Sequence, residues 1–158
     1  RVVRVKRGDE IRIGNVALAV LHPEPELPAD KSANNLSIVV RVPFGPKEFL
    51  YTGDIEKETE AALDPSQLRA DVLKVPHHGA DTSSTPAFID AVSPQYATIS
   101  TGSHGRRVMD QPIIDRYKAA GIAVLRTDRL GAIRFTLRDG DFHVESERVN
   151  RGYPIAKD

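Results

Sequence analysis

The chain holds five histidines, and two of them stand side by side in "DVLKVPHHGADTSS", residues 71 to 84. An apolar run of Val72, Leu73 and Val75 reaches Pro76, which stops it. His77 and His78 then sit where a buried strand would emerge into a loop. Strand ends are where layered α/β enzymes hold their reactive groups. A second apolar run, in "FLYTGD" at residues 49 to 54, ends at Gly53 with Asp54 directly after it. Two readings of Asp54 stand: a helix N-cap for the residues from Glu56 onward, or a carboxylate that bridges metal ions. The histidine pair is likewise either structural or a metal ligand with a supporting neighbour. If the two strands are neighbours, a carboxylate and neutral imidazoles converge, and that donor set suits zinc, manganese or iron.

Two further stretches carry polar groups at loop positions. In "SANNLS", residues 32 to 37, Asn34 and Asn35 either form a turn entering a strand or place amides at a site mouth. In "STGSHGRR", residues 100 to 107, Ser103 and His104 can touch a phosphate and Arg106 and Arg107 can hold one. The competing reading is a solvated glycine-rich loop. His22 and His143 stand alone and read as structural.

The elements that must position these residues follow from the chain's punctuation. Its 158 residues suit one domain, or part of a larger one, and 40% of them are hydrophobic. Basic and acidic residues balance at 22 each, so net charge makes no electrostatic case for nucleic-acid or membrane binding. With no cysteine there is neither a disulfide nor a thiolate metal site. No signal peptide and no apolar run of membrane-spanning length is found, which predicts a soluble chain. It starts at Arg1 without methionine and is expected to be a piece of something longer. Strands are predicted at 2–5, around Ile11 and Ile13, and at 16–21, 37–42, 48–52, 71–75, 96–100, 122–125, 132–137 and 142–145. Residues 22–36, with three prolines, read as a loop. Helices are predicted at 56–63, at 85–92 behind Thr85-Pro86, and at 112–120 before Gly121. Strands joined by hairpins as well as helices predict a mixed sheet.

With these stretches in order, the chain resembles a known family. The carrying segments are "LHP" at 21–23, "NNLSIVVRV" at 34–42, "LYTGDIEKETE" at 50–60, "ADVLKVPHHGADTSS" at 70–84, "SPQYATISTG" at 93–102 and "LRTDRLGAIRF" at 125–135. They are similar to the metallo-β-lactamase-like domain at the C-terminus of ComEC family competence proteins, which take transforming DNA across the bacterial membrane. The resemblance covers nearly the whole chain. It implies a four-layer αββα sandwich, of which residues 1–158 are a single partial domain, mainly the C-terminal half with its mixed sheet and flanking helices. The HxHxDH signature of the N-terminal half is absent. Laying the family's "TGD" on this chain makes Asp54 the residue bridging two metals. Laying "VPGHG" on "VPHHG" makes His78 a ligand and leaves His77 as its support. The histidine that many members carry before the "GD" strand is replaced by "ANNLS", where Asn35 is a poor substitute. Gln111 stands where the family commonly has a histidine, and Ala80 where "HHGS" has its serine.

The activity implied is metal-dependent phosphodiester hydrolysis, with in-line attack of hydroxide on phosphorus and two zinc or manganese ions neutralising the developing charge. Asp54, His78 and His104 would be catalytic, and His104 or Ser103 would bind the phosphate or protonate the leaving oxygen. The partners implied are single-stranded DNA, the missing N-terminal half and a membrane channel portion of the same protein. The place implied is the extracytoplasmic face of the bacterial membrane, and no small organic cofactor is expected. The chain alone, lacking most ligands, is expected to be inactive. Two alternatives stand beside this one: a non-catalytic DNA-guiding scaffold of the same fold, and a metallo-hydrolase of a small ester such as a lactone or a phosphocholine ester.

Overall fold

The structure, a computed structural model, describes residues 2–26, 32–102 and 110–148. Their apolar runs form nine strands, seven of them in one mixed sheet. The first four are β1 (Glu10–Ile13), β2 (Val16–His22), β3 (Val39–Phe44) and β4 (Lys47–Tyr51). They pair antiparallel, each with the next. Short turns make this possible: Gly14-Asn15 joins β1 to β2, and Gly45-Pro46 joins β3 to β4. Gly45 takes φ +63, a left-handed value, at the first central position, where a two-residue hairpin turn asks for glycine. That turn is tighter than "PFGPK" suggests. It carries β3 on through Pro43, which pairs with Glu48, to Phe44.

From β4 onward the connections are helical and the pairing is parallel. β5 (Val72–Lys74), β6 (Tyr96–Ile99) and β7 (Ala123–Arg126) each pair with their predecessor. Between them run α1 (Lys57–Ala62), α2 (Pro86–Val92) and α3 (Gln111–Ala119). Parallel neighbours need such crossovers, and steps in one direction keep the helices on one face. Strand alternation shows that face: Leu50, Leu73 and Ala97 are in register and pack with Phe88, Ile89, Ile113 and Tyr117. Complete burial of such side chains is worth about 1.5–3 kcal/mol each.

The opposite face carries Phe49, Val72 and Tyr96, also in register. Against them lies a separate hairpin, β8 (Ile133–Arg138) with β9 (Asp141–Ser146). Phe142 and Phe135 fill that contact, each ring edge-on to Phe49 at 5.6 and 5.4 Å. Over the described residues the layering is therefore helices, mixed sheet and hairpin. A short helix, α4 (Thr127–Leu130), follows β7. The strand expected at 2–5 does not form. Val2 and Val3 are 95% and 67% exposed and lie outside the sheet, whose edge is β1.

Candidate active site

The four parallel strands point the same way, so their carboxyl ends form one rim. Gly53 and Asp54 follow β4, His77 and His78 follow β5, Ser100 follows β6 and Thr127 follows β7. Asp54 and His78 come together there, with His78 Nε2 3.4 Å from Asp54 Oδ1. The N-cap reading of Asp54 does not hold. Glu56 occupies the position before α1, and its backbone N–H donates to Asn35 Oδ1 at 2.8 Å. Asp54 is instead steadied by its own N–H, which donates to Ser37 Oγ at 3.0 Å.

The backbone at the histidine pair is unusual. His77 (φ 46, ψ 38) and His78 (φ 54, ψ 22) both adopt left-handed conformations, and Gly79 follows at φ 84. Two such non-glycine residues cost about 1–3 kcal/mol each and persist only where their surroundings hold them. The His77 N–H donates to the Gly53 carbonyl at 3.2 Å, tying this turn to the end of β4. The His78 ring is held by a 2.6 Å bond between Nδ1 and the Ser100 carbonyl oxygen. A carbonyl only accepts, so Nδ1 carries the hydrogen, and in the neutral form of the ring the lone pair is at Nε2. That lone pair faces a carboxylate oxygen. Two acceptors opposed at this distance call for a cation or a proton between them.

His77 is buried and turned to the other side. Its Nδ1 lies 3.0 Å from Thr82 Oγ1 and 3.7 Å from Glu56 Oε1. Glu56 is itself enclosed by donors: Ser32 Oγ at 3.0 Å, Asn34 Nδ2 at 3.2 Å and Asn35 Nδ2 at 3.3 Å. The Asn34 bond above all, with the Ser32 bond and the nearby His77, holds the Glu56 carboxyl below its ordinary range. The "SANNLS" amides thus anchor α1 and Glu56. Asn35 is buried, its Oδ1 accepting from Glu56 N and Thr59 Oγ1, each at 2.8 Å. Gln111 opens α3 and donates to Asp115 Oδ1 at 2.7 Å. Ser103, His104, Arg106 and Arg107 lie outside the described residues. His22 is buried against the Asn35 carbonyl at 2.9 Å, and His143 stands on β9, 3.4 Å from Glu145 Oε1.

Lys74, the last residue of β5, is a member of the rim that sequence reading passes over. Its Nζ donates to the Gly53 carbonyl at 3.1 Å and lies 3.8 Å from Asp54 Oδ1. Burial lowers its pKa, against the raising effect of Asp54. The available signal is register: a lysine in a buried strand, at its carboxyl end, must bring its charge to the rim. Among the described residues no three His, Asp or Glu side chains group closely enough to enclose a metal ion. Asp54 and His78 fit two positions of a divalent cation's shell and no more.

No protein-family profile matches the chain. It is 38% identical over 148 residues to ComE operon protein 3 of Bacillus subtilis (strain 168), covering 90% of this chain and 19% of that protein. It is 37% identical over 124 residues to competence protein ComA of Neisseria gonorrhoeae, covering 76% of this chain and 18% of that protein. It is 36% identical over 72 residues to recombination protein 2 of Haemophilus influenzae (strain ATCC 51907 / DSM 11121 / KW20 / Rd), covering 46% of this chain and 9% of that protein. The chain spans about a fifth or less of the length of these curated relatives. No helix among the described residues is long and apolar enough to cross a membrane. In sequence the chain is a relative of the ComEC-like competence proteins.

Proposed function

We propose that the chain is the Asp54–His78 part of a metal-dependent phosphodiester hydrolase acting on DNA during competence uptake. The observation that carries this reading is His78 Nε2 set 3.4 Å from the Asp54 carboxylate at the ends of adjacent parallel strands. Similarity to competence proteins supports DNA as the substrate class. The remaining ligands would come from an N-terminal half bearing HxHxDH, within a metallo-β-lactamase-like sandwich at the extracytoplasmic face of the membrane. Zinc or manganese held there, at two sites in the complete domain, would lower the proton affinity of an attacking water and offset the charge of the phosphoryl oxygens.

The chain's own residues prepare that chemistry. Asp54 contributes negative charge at a fixed point, because Ser37 holds its backbone and the Gly53 carbonyl is tied to His77. His78 is locked in one tautomer by Ser100. His77 braces the turn from behind through Thr82. One observation favours a scaffold without chemistry: the Asn35 and Gln111 side chains, at positions where the resemblance would put histidines, are committed to α1 and α3.

Cleavage of single-stranded DNA by the complete domain, assayed with manganese or zinc, separates these readings. Asp54→Ala and His78→Ala are expected to abolish cleavage. His77→Ala is expected to cost about 10–100-fold, as for a group that supports a ligand. If all three variants cleave like the wild type, Asp54 and His78 are not the site; if the wild-type domain itself does not cleave, the scaffold reading takes its place.

A further inference from the structure

Lys74 has no task in that scheme. Its side chain is only 18% exposed, yet an ammonium carries three N–H donors. The Gly53 carbonyl takes one at 3.1 Å, and Asp54 Oδ1, at 3.8 Å, stands beyond hydrogen-bond distance. Asp54 is its ion partner at that distance, and the donors that remain can take a further anionic oxygen. Lys74 lines a cavity of about 320 Å³ together with Phe49, Tyr51, Thr98, Ser100 and Thr127. Tyr51 is the direct cross-strand partner of Lys74, so ring and ammonium project from the same face as neighbours. The Tyr51 ring stacks on Phe49 at 6.1 Å, and the residue remains 45% exposed. A cation for a backbone phosphate beside an aromatic face for a base is how single strands of nucleic acid are held.

We propose that Lys74 and Tyr51 form a nucleotide subsite for single-stranded nucleic acid, with Lys74 donating to a phosphate oxygen and Tyr51 stacking the adjoining base. For its substrate class the inference rests on the hydrolase reading. It differs from that reading in needing no metal. A phosphate on Lys74 lies beside Asp54, so the subsite presents the strand to the rim.

Binding of a fluorescein-labelled oligothymidylate to the full chain, followed by anisotropy in EDTA between about 50 and 200 mM salt, tests it. Lys74→Gln is expected to weaken binding about tenfold. It should also flatten the slope of log affinity against log salt by about 0.7, the share of one single-strand phosphate contact. Lys74→Arg should keep the wild-type slope. Lys74→Met, which keeps the apolar stem, repeats the neutral test if the glutamine variant fails to fold. Tyr51→Leu should weaken binding about 5- to 20-fold with the slope unchanged, because stacking releases no counterions. Absence of wild-type binding overturns the proposal. So does an unchanged slope in the neutral lysine variants, or wild-type affinity in Tyr51→Leu. Cleavage that survives Asp54→Ala while the Lys74 slope change persists removes the hydrolase reading and leaves the subsite. Loss of cleavage in Asp54→Ala with no slope change removes the subsite alone.

Discussion

Gly53 takes φ +57, and a Cβ built there would lie 2.6 Å from Ser37 Cβ and 2.9 Å from Ser37 Oγ. The close approach is useful, since the same Ser37 hydroxyl accepts from the Asp54 N–H. Gly53→Ala is therefore expected to destabilise the fold by about 1–3 kcal/mol through strain and overlap. The denaturant midpoint measures this, and an unchanged midpoint would show that Ser37 simply yields. At this scale the sequence marks Asp54 and the pair His77-His78 because each follows an apolar run, and only the resemblance to "VPGHG" singles out His78. Lys74 is not marked, since a charge inside a strand reads as an alternating surface position until its neighbours are known. The role of Asn35 is hidden for a similar reason. Its partners, Glu56 and Thr59, lie 21 and 24 residues away, and no local pattern announces them.

Between strand and loop, the end of β7 supports the rim indirectly. Thr127 Oγ1 accepts from Thr101 N at 2.8 Å and donates to Thr101 O at 2.7 Å, next to the Ser100 carbonyl that orients His78. Flanking it, Arg126 grips Asp128 with two bonds, at 3.1 and 2.6 Å. These bonds from Arg126 hold the Asp128 carboxyl below its ordinary value of 3.8. A carboxyl lowered in the folded state adds stability above the unfolded value and loses it as pH falls through the folded one. Urea unfolding from neutral pH down through the carboxylate range is thus expected to show a shallower acid decline for Asp128→Asn than for the wild type. Identical pH profiles would mean that the pair is formed equally in the unfolded chain. Helices α2 and α3 are legible from Thr85-Pro86, Pro112 and Gly121, which are local signals. The four residues of α4 are not, because tertiary bonds through Thr127 and Asp128 set them, and one turn has no periodicity to read.

At the scale of the molecule, the described residues form two apolar clusters on opposite faces of one sheet. The smaller depends on the hairpin, where Phe142 is 8% exposed and contacts the rings of Phe44, Phe49, Tyr96 and Phe135. Phe142→Ala is expected to cost about 3–5 kcal/mol. Amide exchange should quicken first at residues 133–146, with the helix-side cluster still protected. Uniform loss of protection would show that the two clusters melt as one. The mixed sheet is legible as a whole because hairpin turns come first and helical connections follow, in the expected places. The packing of the hairpin over Tyr96 is not, since residues 133–146 alternate as any surface hairpin does.

The sequential strand order also bears on how the chain assembles. Every strand of the large sheet pairs with the one made just before it, from β1 to β7. No early strand waits with a bare edge for a partner synthesised much later, so each loop closed on the way is short and its entropic cost small. The sheet can then grow by accretion at a single moving edge while the chain is still being made. Asp54, His78 and Ser100 are all laid down once β6 is made, and β7 then adds Thr127 to complete the rim.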